Sequence, residues 1–173
     1  MSEGILLAAV ARGTVLAPAE RVARLREAIP QIKAALEGET DAVAIESTLA
    51  CLLWETLVQT NWCGFYRRVG ESTLAVGPYQ GTMGCLRIDF ARGVCGACAR
   101  TEETQLVSDV HAFPGHIACD DRTRSELVIP VVSKSGRLEA VLDLDSPHLD
   151  AFSREEADLL RELLDATLAS ATF

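Results

Sequence analysis

No stretch of this 173-residue chain holds enough consecutive apolar residues to cross a bilayer, and basic residues are scarce: 16 Lys and Arg stand against 25 Asp and Glu, a net charge of −9. The first absence excludes a helical membrane span. The second argues against a nucleic-acid backbone as partner, which would need a basic face. The start lacks the basic residues of an export signal, because Glu3 precedes the short apolar run ILLAAVA. A cytoplasmic location is therefore expected, with residues 1–17 as a poorly ordered arm or a short accessory helix and residues 18–173 as one domain. No internal repeat or linker is visible. What is present is enough apolar material for a sizeable core, since hydrophobic residues make up 49% and exclude disorder.

Six cysteines stand at positions 51, 63, 85, 95, 98 and 119. In a reducing compartment that number points to metal binding or thiol chemistry rather than to a disulfide framework. Cys51 and Cys63 fall in apolar contexts, LACLLW and NWCGFY, and read as packing residues.

Pro18 to Gly38 has helical periodicity, with Val22, Leu25, Ile29, Ile32 and Leu36 on one stripe. Pro30 should break or kink it and Gly38 should end it. Thr40 or Asp41 can cap a second helix running to about Gln59. Trp62 to Val69 and Thr73 to Gln80 read as a hairpin, followed by a loop, Gly81 to Leu86, that carries Cys85. Gly93 to Thr101 reads as a short helix and Gln105 to Val107 as a short strand. Glu126 to Val132 and Leu138 to Asp145 form a second hairpin, and Ser153 with Glu156 makes a capping box for a final helix to Ala169. Antiparallel strands flanked by helices make an α+β domain.

Three carboxylates interrupt the second hairpin. Asp143 and Asp145 are two apart and share a strand face. A turn at Lys134-Ser135, or over Ser133 to Gly136, sets Glu126 opposite Asp143, whereas a turn at Ser135-Gly136 sets it opposite Asp145. A three-residue turn would send Glu126 to the other face, and a bulge would change the count again. Like charges opposed across a sheet cost up to ~1 kcal/mol. The bland reading is a solvated sheet end. The sharper one is a site needing a proton donor beside negative charge, because crowded, partly buried carboxylates cannot all ionise. Such a cluster can protonate an oxygen leaving sulfur or hold an ammonium; a hard cation fits the surroundings less well.

The run DVHAFPGHIACDD, residues 109–121, is a loop that presents Cys119 between two strands, with His111 and His116 near it. Loop histidines of this kind more often stabilise turns, yet they can also polarise a site. Cys95-Gly-Ala-Cys98 is a lone C-x-x-C; with His116 and Cys119 it would complete a zinc set, but no second C-x-x-C supports one. Otherwise Cys85, Cys95 and Cys119 converge as a redox site, with Cys98 one helical turn beyond Cys95. The helix start at Gly93 offers backbone amides to a carboxylate or to a thiolate.

NWCGFY (61–66), GPYQG (77–81), Cys85 with RGVCG (92–96), QLVSDVHAFPGHIACD (105–120), SELVIPV (125–131) and LDLDSP (142–147) together resemble the free methionine-(R)-sulfoxide reductases. These are single GAF-domain enzymes acting on the free amino acid, and the likeness extends over residues 20–170, including ALEGETDAVA (35–44). The resemblance implies a GAF-like antiparallel sheet of five or six strands with helices packed on it. It implies Cys119 as the nucleophile that becomes a sulfenic acid, Cys85 as the thiol that resolves it to a disulfide, and Cys95 as a site-lining or second resolving thiol. Thioredoxin or a similar dithiol would regenerate the enzyme. Trp62 and Tyr66 match the aromatic wall; Glu126, Asp143 and Asp145 match an acidic cluster for the sulfoxide oxygen and the amino group. The amides of Gly93 and Val94 would take the carboxylate. No cofactor or metal is implied, and a homodimer is expected. Cys63 and Cys98 depart from the family pattern, and Cys98 leaves open a disulfide with Cys95. The rival from another class is a non-catalytic redox-sensing or ligand-binding GAF module, which would oxidise without turnover.

Overall fold

A computed structural model describes residues 5–115 and 120–173. Six antiparallel strands, β1 (Trp62–Arg68), β2 (Thr73–Gly81), β3 (Arg87–Asp89), β4 (Gln105–Val107), β5 (Ser125–Val132) and β6 (Leu138–Ser146), form one sheet in the order β3-β2-β1-β6-β5-β4. Both edges are three-residue strands, too short to template pairing with another chain. The edge strand β3 was not expected from sequence, since three residues carry no periodic signal.

The sheet is covered on both faces, so β5 and β6 are nearly buried throughout instead of alternating. On one face Cys63, Phe65, Leu127, Ile129, Leu142 and Leu144 pack against α1 (Pro18–Ala35), α2 (Ala42–Thr56) and α4 (Arg154–Leu168). The opposite face sets Trp62, Tyr66, Val128 and Val141 against α3 (Gly93–Thr101). The period of two then places Glu126, Asp143 and Asp145 on the α3 side. Gly96 permits that packing, because a Cβ there would lie 2.5 Å from the Asp89 carbonyl oxygen.

The expected α1 stripe faces inward, but Pro30 does not break the helix, which runs on to Ala35. Pro30 and Arg26 are both exposed. The Arg26 carbonyl that loses its donor can therefore be hydrated, while Leu25, Ala28 and Ile32 hold the inner face. Asp41 caps α2 through the Ala44 amide at 2.8 Å, and the helix ends at Thr56, short of Gln59, as the chain turns into β1. Cys51 corrects the sequence reading. It is exposed, because the inward positions of α2 are Ile45, Leu49, Leu52 and Leu53. Cys63 is buried as expected. The capping box at Ser153 forms, and its Glu156 also takes the buried Arg21 guanidinium at 3.0 Å, tying α4 to α1. Residues 5–16 lie along α1 and α2; the Arg12 guanidinium stacks 3.5 Å over the Trp54 ring, and the Gly13 amide donates to the Val58 carbonyl at 2.7 Å.

The hairpin reaches a predicted register by an unpredicted route. Ser133 closes the turn on the Arg137 carbonyl at 2.9 Å, so the turn is centred on Ser135, an odd count that alone would turn Glu126 away. Pairing then jumps from Val132↔Leu138 to Val131↔Ala140, leaving Glu139 as a bulge residue. That one extra residue restores the phase. Glu126 pairs with Asp145, and Val128 with Asp143.

Candidate active site

On β1, Trp62 and Tyr66 point to the α3 side, and the residue between them on that face is Gly64. With no side chain there, the two rings stack at 5.3 Å. Tyr79 from β2 stacks on the other side of Trp62 at 5.2 Å. Gly64 pairs with Tyr79, and a Cβ on Gly64 would sit 2.2 Å from the Tyr79 Cβ, so the aromatic wall requires glycine at that position. The Trp62 indole donates to the Thr82 carbonyl at 3.1 Å, and a backbone hydrogen bond joins Cys85 to the Tyr66 hydroxyl. The loop carrying Cys85 is thereby anchored across the wall, and Cys85 packs against the cluster that contains Cys95.

Glu126 and Asp143 are buried at 6% and 5% exposure, and Asp145 is half-buried. Cys95, on the first turn of α3, lies 3.8 Å from a Glu126 carboxylate oxygen through its Sγ. Among the described residues, buried Oδ1 of Asp143 has no hydrogen-bond partner. Burial, and then the neighbouring Asp143 and Asp145, push the Glu126 carboxyl well above its usual range. Asp143 is pushed up to about 7 by burial, against hydrogen bonds from Cys95 and Glu126 that favour its charge. Asp145 is raised by burial and by the charges of Asp143 and Asp120. The Cys95 thiol is raised by burial and by the same carboxylates, so it is not a thiolate at neutrality. The trio stores protons.

These groups line one cavity of about 30 Å³, together with Trp62, Tyr66 and Val94. Its wall also includes Met83, Gly84, Ile88, Asp120 and Thr123, which sequence reasoning missed. Only Gly84 carried a signal, as a glycine beside Cys85, but its reason is tertiary: a Cβ there would meet the Tyr66 hydroxyl at 2.7 Å. Tyr79, in the GPYQG run, was likewise not identified as part of the aromatic wall. One ligand atom each from Cys95, Glu126 and Asp143 falls within 4.8 Å of the others. Cation binding by that set would first require displacing the protons they hold.

The expected nucleophile Cys119 and its neighbour His116 lie outside the described residues. Cys85 is disulfide-bonded, whereas Cys51, Cys63, Cys95 and Cys98 carry free thiols. The suggested Cys95–Cys98 disulfide is therefore absent. Cys98 turns away to the Val128 carbonyl at 3.8 Å and is buried. His111 sits exposed on a 3-10 turn, Val110–Ala112, apart from the cavity lining. At the start of α3 the Gly93 amide already donates to the Gly115 carbonyl at 3.0 Å, which leaves the amides of Val94 and Cys95, both cavity-lining residues, as the first-turn donors without an intrahelical partner.

A GAF domain model matches residues 44–169. The free methionine-R-sulfoxide reductase of Escherichia coli (strain K12) is 42% identical over 131 residues, covering 76% of this chain and 78% of that protein. The Saccharomyces cerevisiae enzyme of the same description is 38% identical over 143 residues, covering 79% of each. The X-ray structure of free methionine-R-sulfoxide reductase from Neisseria meningitidis, in complex with its substrate, matches with a TM-score of 0.84 at 38% identity, over 96% of this chain and 93% of that one. The chain belongs to the free methionine-R-sulfoxide reductase family and has the GAF fold.

Proposed function

We propose that the protein reduces free L-methionine-(R)-sulfoxide to L-methionine, with Cys119 as nucleophile. The observation that carries this reading is the burial of Glu126 and Asp143 beside Asp145 and the Trp62–Tyr66 wall in one cavity. A sulfoxide is a poor electrophile until its oxygen is protonated, and carboxyls with raised pKa keep that proton at neutral pH. The Cys119 thiolate attacks the sulfoxide sulfur and the cluster protonates the oxygen; the oxygen then passes from the substrate sulfur to the Cys119 sulfur as the bond between the two sulfurs breaks, so that methionine leaves and Cys119 is left as the sulfenic acid. The Cys85 thiol then condenses with it, forming a disulfide and releasing water. Cys95 serves as a lining thiol or a second resolver. A dithiol of the thioredoxin class returns both thiols to the reduced state by exchange.

Trp62 and Tyr66 face the substrate's methyl and side chain, an ionised member of the Glu126, Asp143 and Asp145 set takes the ammonium, and the Val94 end of α3 takes the carboxylate. A site holding both charged ends of a free amino acid excludes the same group inside a polypeptide. By family resemblance the enzyme works as a cytoplasmic homodimer. The test is a thioredoxin-coupled assay with each epimer. Turnover of the free (R) form, little with the (S) form or a sulfoxide-containing peptide, and loss in Cys119→Ser are expected. Substantial activity surviving in Cys119→Ser would remove that residue as nucleophile.

A further inference from the structure

Asp120 follows Cys119 in sequence, and its carboxylate, with 13% of the side chain exposed, gathers donors from three separate segments. One oxygen accepts from Arg122 Nη2 at 2.7 Å, Thr82 Oγ1 at 3.0 Å and Asn61 Nδ2 at 3.2 Å. This oxygen also lies 3.2 Å from Arg122 Nε. Its other oxygen accepts from the Arg122 backbone amide at 2.9 Å and from Nε at 3.0 Å. Hydrogen bonds from Arg122 hold the carboxyl below its usual range, opposite to the shift of the three cluster acids.

Thr82 is the hinge of this arrangement. It opens the loop that carries Cys85, and it is gripped twice: by Asp120 through its hydroxyl and by the Trp62 indole through its carbonyl. Arg122 Nη2 also approaches the Thr82 hydroxyl, at 3.4 Å. Asn61 connects the same carboxylate to the sheet, since its backbone N–H donates to the Asp145 carbonyl at 2.9 Å. One ionised side chain therefore joins the loop of Cys85, the start of β1 and the chain entering β5.

We propose that Asp120 is a positioning residue for the resolving step: by bonding Thr82 it holds the Cys85 loop where the Cys85 thiol meets the Cys119 sulfenic acid. This rests on the proposed reductase reading. The step joins the two sulfurs and releases water, so it needs no added reactant. Orientation is what the clamp contributes, and misplacement by about an ångström can cost on the order of a hundredfold in rate. Methionine release precedes this step and does not depend on where Cys85 lies.

The test is single turnover of the pre-reduced full chain, with methionine, free thiols and diketone-trapped sulfenic acid followed separately. For Thr82→Val, which leaves the cavity wall intact, we expect the methionine burst to stay within about threefold of wild type; Asp120 lines the cavity beside Asp145, so for Asp120→Ala the fall in disulfide formation is read relative to that variant's own burst. Disulfide formation should slow about tenfold or more, with trapped sulfenic acid accumulating. Asp120→Asn, which keeps an acceptor for Thr82 but loses the ionic bond to Arg122, should fall between. The double variant should be no slower than Asp120→Ala alone. Equal losses in burst and disulfide formation, or no change in either, would overturn the proposal; Thr82→Val decides the matter if Asp120→Ala does not fold. Absence of a methionine burst in wild type would instead sink the reductase reading.

Discussion

Glu126 and Asp145 are direct cross-strand partners on β5 and β6, two carboxylates facing each other inside a cavity. They meet because the Glu139 bulge cancels the odd-numbered turn at Ser135. The sheet tolerates the pair because burial lifts both carboxyls above their usual range, so the contact is not between two full charges.

The first prediction concerns the proton. A raised carboxyl pKa means the acid form persists to neutrality and is lost as pH rises. With Asp143 near about 7 and Glu126 raised as well, kcat/KM should fall on the alkaline side of neutrality. Glu126→Gln should lower kcat by ~10²–10⁴-fold, the usual worth of a positioned acid. A flat pH profile, or a Gln variant of near-normal rate, would count against the cluster as proton source.

Two glycines should separate folding from binding. A Cβ at Gly64 would lie 2.2 Å and 2.7 Å from Tyr79 Cβ and Cα, with backbone on the far side. Gly64→Ala should therefore cost about 3 kcal/mol or more, read from denaturant unfolding. At Gly84 the 2.7 Å contact is the tip of Tyr66. Gly84→Ala should keep most of the stability but raise KM about tenfold by pushing Tyr66 into the cavity. Equal stability losses in both would refute the distinction.

A third prediction lies on the far face of the sheet. Glu46 is fully buried, its carboxylate 3.3 Å from Arg67, and burial raises it from 4.5 to about 7. The folded state then holds this proton more tightly than the unfolded chain does. Its stabilisation is complete below 4.5 and is lost as pH rises through about 7. The cluster acids act in the same direction, so the Glu46 share is isolated by difference. Relative to Glu46→Gln, the wild type should lose up to about 3 kcal/mol across that window, measured by denaturant unfolding at a series of pH values. A pH-independent difference would refute the assignment.

Much of the fold was legible in the chain. The α1 stripe, the Asp41 and Ser153 caps and both hairpins depend on residues near one another in sequence, where periodicity and capping chemistry operate. The misses have physical causes. Pro30 stays helical because tertiary packing outweighs one lost hydrogen bond, and Cys51 is exposed because an apolar neighbourhood in sequence spans both sides of a helix. Tyr79, Ile88 and Thr123 join the site through strand pairing and loop closure, which no local pattern encodes.

The sequence by itself determined which residue types could do chemistry here: thiols, a carboxylate triple spaced for strands, and aromatics flanking a glycine. Whether the three acids share a face was undetermined, since a single inserted residue reverses every side chain beyond it. Tertiary structure settled that question through the bulge at Glu139 and, by closing α3 over the same face, removed the acids from water. Desolvation is a property of the surroundings and not of the residue. An acid able to hold its proton at neutrality could therefore be anticipated from the chain, but only the fold could make one.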